Sequence, residues 1–489
     1  MNTEPIEQLL EKITDLEGAM HQAVKKYQPM LQNLPAVQKA SARNLIHYLC
    51  LRNEDIRHLQ DQLHIYGLSS LASSESHILR QVQAIAERLG KNYPANKISK
   101  CDYHYSRRIM QSRADTLFGS GKKSAAPYFM VTFDKSFIQN YAFIKSLLQS
   151  GMQVARINCA HDDESVWAQM IYLLKKASRK TGLPCKIYMD LAGPKIRTIL
   201  THKGKKEGKA EVREGDLIWL AEGDGKFSKK EVVIHPNESG IVGCLKTGDR
   251  VFIDDGVIKG EVEQIEDNAA AVRLVRVSAK NPAIKNGKGL NFPDSVLNVP
   301  ALTGFDMQCL PFICRNADLV GYSFVRYASE LETLQKLLSD ISDNPPHIIV
   351  KIETPEAVQH LPAILLQGMH QKVFGVMIAR GDLAVEIGFE RMSEIQEEIL
   401  WICEAAHAPV IWATQVLETL NKTGMATRSE ITDAAHAAMA ECIMINKGNY
   451  TIEVMETLRE VTARMGGHHV KKRFTFRPLN IARRFFSES

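Results

Sequence analysis

The chain has 489 residues, 45% of them hydrophobic and 24% charged, with a formal net charge of +5. That length exceeds one compact core and calls for about two to four domains, while so small a charge argues for neither a nucleic-acid partner nor a membrane surface. Its nine cysteines are scattered and form no CxxC pair, which reads as reduced thiols rather than a disulfide framework or zinc site; Cys309 and Cys314 are the nearest pair.

The start, MNTEPIEQLL, carries neither a basic n-region nor an apolar h-region, and no apolar run is long enough for a bilayer, so a cytoplasmic protein is expected. Residues 1–95 read as helices. Ile6, Leu9, Leu10, Ile13 and Leu16 share one face, and ARNLIHYLCLRNEDIRHLQDQL and SESHILRQVQAIAERL repeat the pattern. The bland reading is a helical packing module. Residues 96–126, rich in Lys, Arg, Ser and Gly, read as a linker.

From residue 127 a strand–helix rhythm begins. YFMVTF, VARIN and CKIYMDL are strands separated by helices, and the rhythm resumes with LVGYSF, HIIVKIE, VFGVMIA, PVIWAT and CIMIN. Eight apolar strands, most followed by a helix, predict a (β/α)8 TIM barrel in two parts, 127–197 and 298–465. Residues 198–297 differ in texture: alternating stretches such as DLIWLAE, RVFIDD and AVRLVRV predict a small inserted β-barrel domain of antiparallel strands. Residues 466–489 form a basic, aromatic tail.

A TIM barrel collects its chemistry at the C-terminal ends of its strands. Here those ends carry Arg156 and Asn158, Asp190, Ser323, Lys351 and Glu353, Arg380 and Asp382, Thr414, then Asn446 and Lys447. Each alone is weak: an Arg-Gly-Asp tripeptide is usually a turn, and Thr at a strand end is ordinary β propensity. Together they fill nearly every rim position. Glu353 and Asp382 come from adjacent strands and can share one divalent cation, and the cationic neighbours favour Mg2+ completed by substrate oxygens. Gly381 permits close backbone approach to a ligand, and amides at a helix start bind anions.

The motifs GMQVARIN, MDLAGPKIRT, IDDG, GKGLNFPDSVLNVPAL, VKIETPEAV, MIARGDLAVEI, PVIWATQVLETL and TRSEITDAAHA follow the order seen in pyruvate kinases, and residues 127–465 resemble that family. The resemblance implies phosphoryl transfer from phosphoenolpyruvate to ADP, giving pyruvate and ATP, in a cytoplasmic homo-oligomer of glycolysis. It assigns Mg2+ to Glu353 and Asp382, and places Lys351 against the transferring phosphoryl group. The substrate carboxylate falls to Gly381, Asp382 and Thr414; Thr414 also lies where the enolate is protonated, and Arg156 clamps phosphates. Asn158, His161, Arg197 and Lys288 would line the nucleotide side, and Asp255 belongs to a closing lid.

Four departures stand out. Ala160 replaces a serine of the family's K+ site while Lys195 stands where K+-requiring members carry Glu, so a tethered ammonium near Asn158 and Asp190 is expected to make K+ unnecessary. The loop after strand one reads TFDKSF rather than TIGPAS, and the loop after strand eight reads NKGNYT rather than SGETAxGxYP. The family's C-terminal effector domain has no counterpart, so activation by a sugar bisphosphate is not expected. Two other readings remain: an enzyme of the same barrel using another phosphoryl acceptor or enol substrate, and a non-catalytic protein that binds a partner.

Overall fold

A computed structural model of the chain describes residues 4–120, 126–202, 205–206, 208–223, 227–228, 230–280, 282–466, 469–470 and 473–474. Eight strands, β1 (Tyr128–Phe133), β2 (Val154–Asn158), β3 (Lys186–Asp190), β4 (Leu319–Tyr322), β5 (His347–Ile352), β6 (Gly375–Ala379), β7 (Val410–Ala413) and β8 (Cys442–Ile445), close a parallel barrel in sequential order. β1 completes the ring by pairing with both β2 and β8. Both faces of each strand are apolar because both are covered. On β1, Phe129 and Val131 join the outer core shared with the helices, while Tyr128 and Met130 fill the barrel interior.

The inserted domain leaves after β3 and returns before β4. In the described residues its main sheet has eight strands, the longest being Ile258–Glu266 and Ala269–Val277. Its pairs are antiparallel apart from Leu217–Ala221 beside Val232–Pro236, which run parallel. The sheet holds a separate apolar core that includes Leu200, Ile218, Ile234, Val251 and Val272.

The N-terminal helices form no separate core. Helix Ile6–Lys26 buries Leu9, Ile13, Leu16 and Met20, and these residues belong to the same cluster as the barrel's outer helices. Asn44, in helix Ala36–Arg52, donates to the carbonyls of Glu75 and Ala405, both at 2.8 Å, tying the module to the barrel helix Met392–Ala405.

The linker reading of 96–126 needs correction. Residues Tyr103–Phe118 form a helix, capped by Asp102, whose side chain accepts from the Tyr105 amide, and stopped at Gly119 with φ 112°. Charge masked the pattern: Met110, Ala114, Leu117 and Phe118 make one buried face, and the last three reach the barrel interior at its N-terminal mouth. Arg113 on that face is itself buried. It donates to the carbonyls of Ala406, His407 and Val37 and to Gln38 Oε1. Burial pulls its pKa down to about 10. The basic tail lies outside the described residues except for its first residue and the short strands His469–Val470 and Arg473–Phe474. Among the described residues, no helix is long and apolar enough to cross a membrane.

Candidate active site

The strand ends converge on one cluster. Lys351, near the end of β5, places Nζ 2.7 Å from Ser323 Oγ, 3.0 Å from Glu353 Oε1 and 3.4 Å from Asp190 Oδ2. Burial opposes its charge, but the carboxylates of Asp190 and Glu353 outweigh that penalty and hold its pKa above the ordinary lysine value. Lys351 therefore stands as a fixed ammonium.

Asp190, at the end of β3, is 1% exposed and anchors the other cation. Its Oδ2 accepts from Arg156 Nε at 3.1 Å and Nη2 at 2.5 Å, and its Oδ1 accepts from the Tyr188 hydroxyl at 2.9 Å. Burial raises its pKa, yet Lys351, Arg156 and Tyr188 together bring the carboxyl below the usual value. Arg156 Nη1 also donates to Thr132 on β1. Room for this arrangement comes from β4. A Cβ on Gly321 would lie 1.9 Å from the Tyr188 hydroxyl and 2.3 Å from Asp190 Oδ1.

Glu353 and Asp382 differ in environment. Glu353 is 2% exposed, and its Oε2 accepts from the Phe324 amide at 2.7 Å. Burial, reinforced by the negative charge of Asp382 and opposed by Lys351, pushes its pKa up. A buried carboxylate repelled by a neighbouring carboxylate suits a divalent cation, so the pair fits Mg2+ by donor type and charge. No group of three or more His, Cys, Asp or Glu among the described residues could hold a metal; substrate or water oxygens must complete any such site. Lys195 donates to Asp382 Oδ1 at 2.6 Å and lies 3.6 Å from Asp255. Burial works against its charge, while Asp382 and Asp255 raise its pKa. The resemblance sets Lys195 near Asn158 and Asp190; its ion-pair partners are Asp382 and Asp255, while Asp190 is held by Arg156 and Lys351.

Arg380 and Asp382 part company despite their adjacency. The chain enters helix Arg380–Ile387 directly from β6. Arg380 turns back, donating to the carbonyls of Ala413 at 3.1 Å and Thr414 at 2.6 Å, pairing with Asp433, and lying over the Trp412 ring. Thr414 and Gln415 after β7 have φ of 65° and 54°. For a β-branched Thr that conformation is costly, and Arg380 pins it from the carbonyl side. The reward is orientation: Thr414 Oγ1 accepts the Gly381 amide at 2.8 Å at the start of the helix. A Cβ on Gly381 would meet Thr414 only at 3.5 Å, ordinary contact, so the protein's own packing does not demand glycine there.

The remaining residues form the opposite rim. Asn158 Oδ1 accepts from the Ala160 amide at 3.1 Å. Burial first, and then the charges of Arg197 and Lys447, depress the His161 pKa, so these three face one another. Arg197 Nη1 donates to Gly287 O at 3.0 Å, whereas Lys288 is paired with Asp254 at 2.9 Å. Lys447 reaches Asp134 at 2.9 Å and thereby joins the two divergent loops after β1 and β8.

Sequence reasoning missed the supports, not the ends. Tyr188 and Thr132 read as barrel core, and Gly321 as a small strand residue; alternation would place Tyr188 on the same face of β3 as Asp190, which was the available signal.

A sequence model of the family described as "Pyruvate kinase, barrel domain" matches residues 136–455. The pyruvate kinase of Geobacillus stearothermophilus is 30% identical over 326 residues, covering 65% of this chain and 53% of that protein. That of Bacillus licheniformis is 31% identical over 333 residues, covering 66% and 54%. That of Dictyostelium discoideum is 31% identical over 342 residues, covering 65% and 62%. The chain thus spans a little over half the length of the two bacterial relatives.

Proposed function

The chain belongs to the pyruvate kinase family, and we propose that its barrel rim transfers the phosphoryl group of phosphoenolpyruvate to ADP, giving pyruvate and ATP. The observation that carries this reading is the Lys351 ammonium, held between buried Asp190 and Glu353 beside the Arg156 guanidinium. Two fixed cations at the mouth of a barrel suit a reaction in which negative charge moves between phosphoryl and enol oxygens. In phosphoryl transfer, catalysis rests mainly on positioning and electrostatic stabilisation. Glu353 and Asp382 would hold Mg2+, which supplies charge neutralisation at the phosphoryl oxygens.

The chain's own groups have distinct tasks in this reading. Lys351 stabilises the charge that gathers on the transferring group and on the enolate oxygen left behind. Arg156, locked by Asp190, orients phosphate. The Asp382 amide, in the first turn of an eight-residue helix, and the Thr414 hydroxyl, which accepts from the Gly381 amide and keeps its own proton to donate, receive the substrate carboxylate, with Gly381 leaving the backbone open to it. Thr414 is also placed to pass a proton, through water, to the enolate carbon. Asn158, His161, Arg197 and Lys288 serve the nucleotide side, and Asp255 carries lid movement to the site through Lys195. The same reading includes a cytoplasmic homo-oligomer; among supporting observations, all nine cysteines are free thiols.

A second reading, another acceptor in place of ADP, is favoured by the Lys447–Asp134 bridge, which ties together the two loops that depart from the family pattern. One experiment separates them: a lactate dehydrogenase-coupled assay with phosphoenolpyruvate and Mg2+, run with ADP, with other nucleotide and sugar acceptors in its place, and with no acceptor. Pyruvate formed only with ADP supports the first reading. Pyruvate formed with other acceptors but not ADP supports the second, and no pyruvate under any condition overturns both.

A further inference from the structure

Tyr188 lies on β3 two positions before Asp190, so strand alternation puts both on one face. It is fully buried and belongs to the interior cluster with Met130, Ile349, Met377 and Ile411. A phenol in such surroundings needs a hydrogen-bond partner. Among the described residues its hydroxyl has one, Asp190 Oδ1 at 2.9 Å. Burial, and then the charge of Asp190, raise the phenol's pKa well above the ordinary tyrosine value, so it stays a donor.

That bond divides the two oxygens of one carboxylate. Oδ1 receives no other hydrogen bond among the described residues, while Oδ2 faces Arg156 Nε at 3.1 Å, Arg156 Nη2 at 2.5 Å and Lys351 Nζ at 3.4 Å. A guanidinium ordinarily grips a carboxylate as a fork, with one N–H to each oxygen. Here both N–H groups meet at a single oxygen, the geometry expected when a third donor holds the other oxygen out of the fork. The backbone leaves room for that donor. β4 pairs with β3 so that Gly321 stands opposite Asp190, and a Cβ on Gly321 would lie 1.9 Å from the Tyr188 hydroxyl and 2.3 Å from Asp190 Oδ1. Any larger residue at 321 displaces the bond.

We propose that Tyr188 is a positioning residue: its hydroxyl turns the Asp190 carboxylate so that one oxygen faces both Arg156 and Lys351, and thereby sets where the Lys351 ammonium stands. Lys351 has two other partners, Ser323 Oγ at 2.7 Å and Glu353 Oε1 at 3.0 Å, which follow β4 and β5; Asp190 is its tie to β3. Without the hydroxyl, Oδ1 becomes a buried acceptor with no donor, which costs free energy. Rotation into a fork with Arg156 relieves that cost and carries Oδ2 away from Lys351. Arg156 keeps a carboxylate and its bond to Thr132. The loss therefore falls on Lys351, which in phosphoryl transfer means on the transition state more than on phosphate binding. The effect on turnover rests on the proposed reaction; the effect on Asp190 does not.

The test is Tyr188→Phe, which keeps the ring and removes the donor. Its crystal structure, set beside that of the parent protein, should show Asp190 turned so that both oxygens face Arg156, with Lys351 Nζ farther from Asp190 than in the parent. In the coupled pyruvate assay kcat should fall about tenfold or more, while KM for phosphoenolpyruvate changes less than about threefold. Circular dichroism and the urea midpoint report whether the variant is folded. Gly321→Ala reaches the same bond from β4 and should give the same two changes; it decides on the same criteria if Tyr188→Phe does not fold. A carboxylate and an ammonium that stay in place in folded Tyr188→Phe overturn the proposal, as does an unchanged kcat where the parent is active. Lower stability with kcat intact would make Tyr188 a packing residue and overturns it too. A parent that forms no pyruvate overturns the phosphoryl-transfer reading alone, and the crystal structures then decide the role of Tyr188.

Discussion

Replacing Lys351 with Met removes an ammonium and keeps most of its stem. The consequences follow from its contacts. Asp190 retains Arg156 at 2.5 Å and Tyr188 at 2.9 Å, so its charge stays satisfied. Glu353 loses its counter-charge and keeps only the Phe324 amide, with Asp382 repelling it. Breaking a buried ion pair from one side costs about 3–5 kcal/mol. Here the lower end applies, because Glu353 already has a raised pKa and can take up a proton. That choice gives the variant a pH signature. A carboxyl whose folded pKa is raised adds stability that is complete below its unfolded value, near the ordinary glutamate 4.5, and is lost as pH climbs through the folded value. Lys351→Met should therefore lose stability with rising pH above about 4.5 more steeply than the parent protein. Turnover should fall about 100- to 1,000-fold, the usual cost of losing one electrostatic stabiliser. Urea titrations at several pH values and the coupled pyruvate assay read the two effects separately. A folded variant with near-normal turnover would remove Lys351 from the mechanism, and a stability loss independent of pH would refute the account of Glu353.

Other outcomes follow from the same contacts. Glu353→Gln and Asp382→Asn should each raise the Mg2+ concentration for half-maximal rate, since an amide brings no net charge to a hard cation; unchanged Mg2+ dependence in both would exclude the pair as ligands. Turnover in tetramethylammonium buffer should not rise when KCl is added at fixed ionic strength, because the Lys195 ammonium already stands on Asp382; strong activation by K+ would contradict this. Arg113→Met should destabilise the chain by about 3 kcal/mol by stranding several buried acceptors, read as a lower urea midpoint, and an unchanged midpoint would show that the base of the barrel does not depend on that guanidinium.

The barrel was legible because covered parallel strands are apolar on both faces and their rim residues break that pattern. YFMVTF and VFGVMIA have no other easy reading, and Lys351, Glu353 and Asp382 stand out as charges at the ends of such runs. What failed to show had a common cause: partners far apart in sequence. Nothing near Arg113 announces that its acceptors lie at Val37, Gln38 and around residue 406, so its helix looked like a charged linker. Lys195 could not be assigned to Asp382 across 187 positions, and the family resemblance set it near Asn158 and Asp190 instead.

In the proposed reading, the pairing of Lys195 with Asp382 and Asp255 couples the lid to the metal site. The residue sits where the inserted domain leaves the barrel, and its ammonium touches Asp382 on the barrel at 2.6 Å and Asp255 of the lid at 3.6 Å. Any swing of the lid that carries Asp255 alters how one cation is shared between two acids, and so alters the negative charge that Asp382 presents to a metal. Asp255 lies in a turn where it and Asp254 both hold positive φ, 54° and 57°, and Asp254 is itself engaged by Lys288. A strained turn braced by one lysine thus presents the acid that a second lysine reads. In the proposed reading lid closure and divalent-ion affinity form one equilibrium: a change that loosens Lys195 from Asp255 also changes its grip on Asp382. The decisive comparison is Asp255→Asn. If Lys195 is shared, removing the lid's charge concentrates the ammonium on Asp382 and weakens Mg2+ in competition with it, raising the Mg2+ requirement although the altered residue is not a proposed ligand. An Mg2+ requirement unmoved by Asp255→Asn would separate the lid from the metal site.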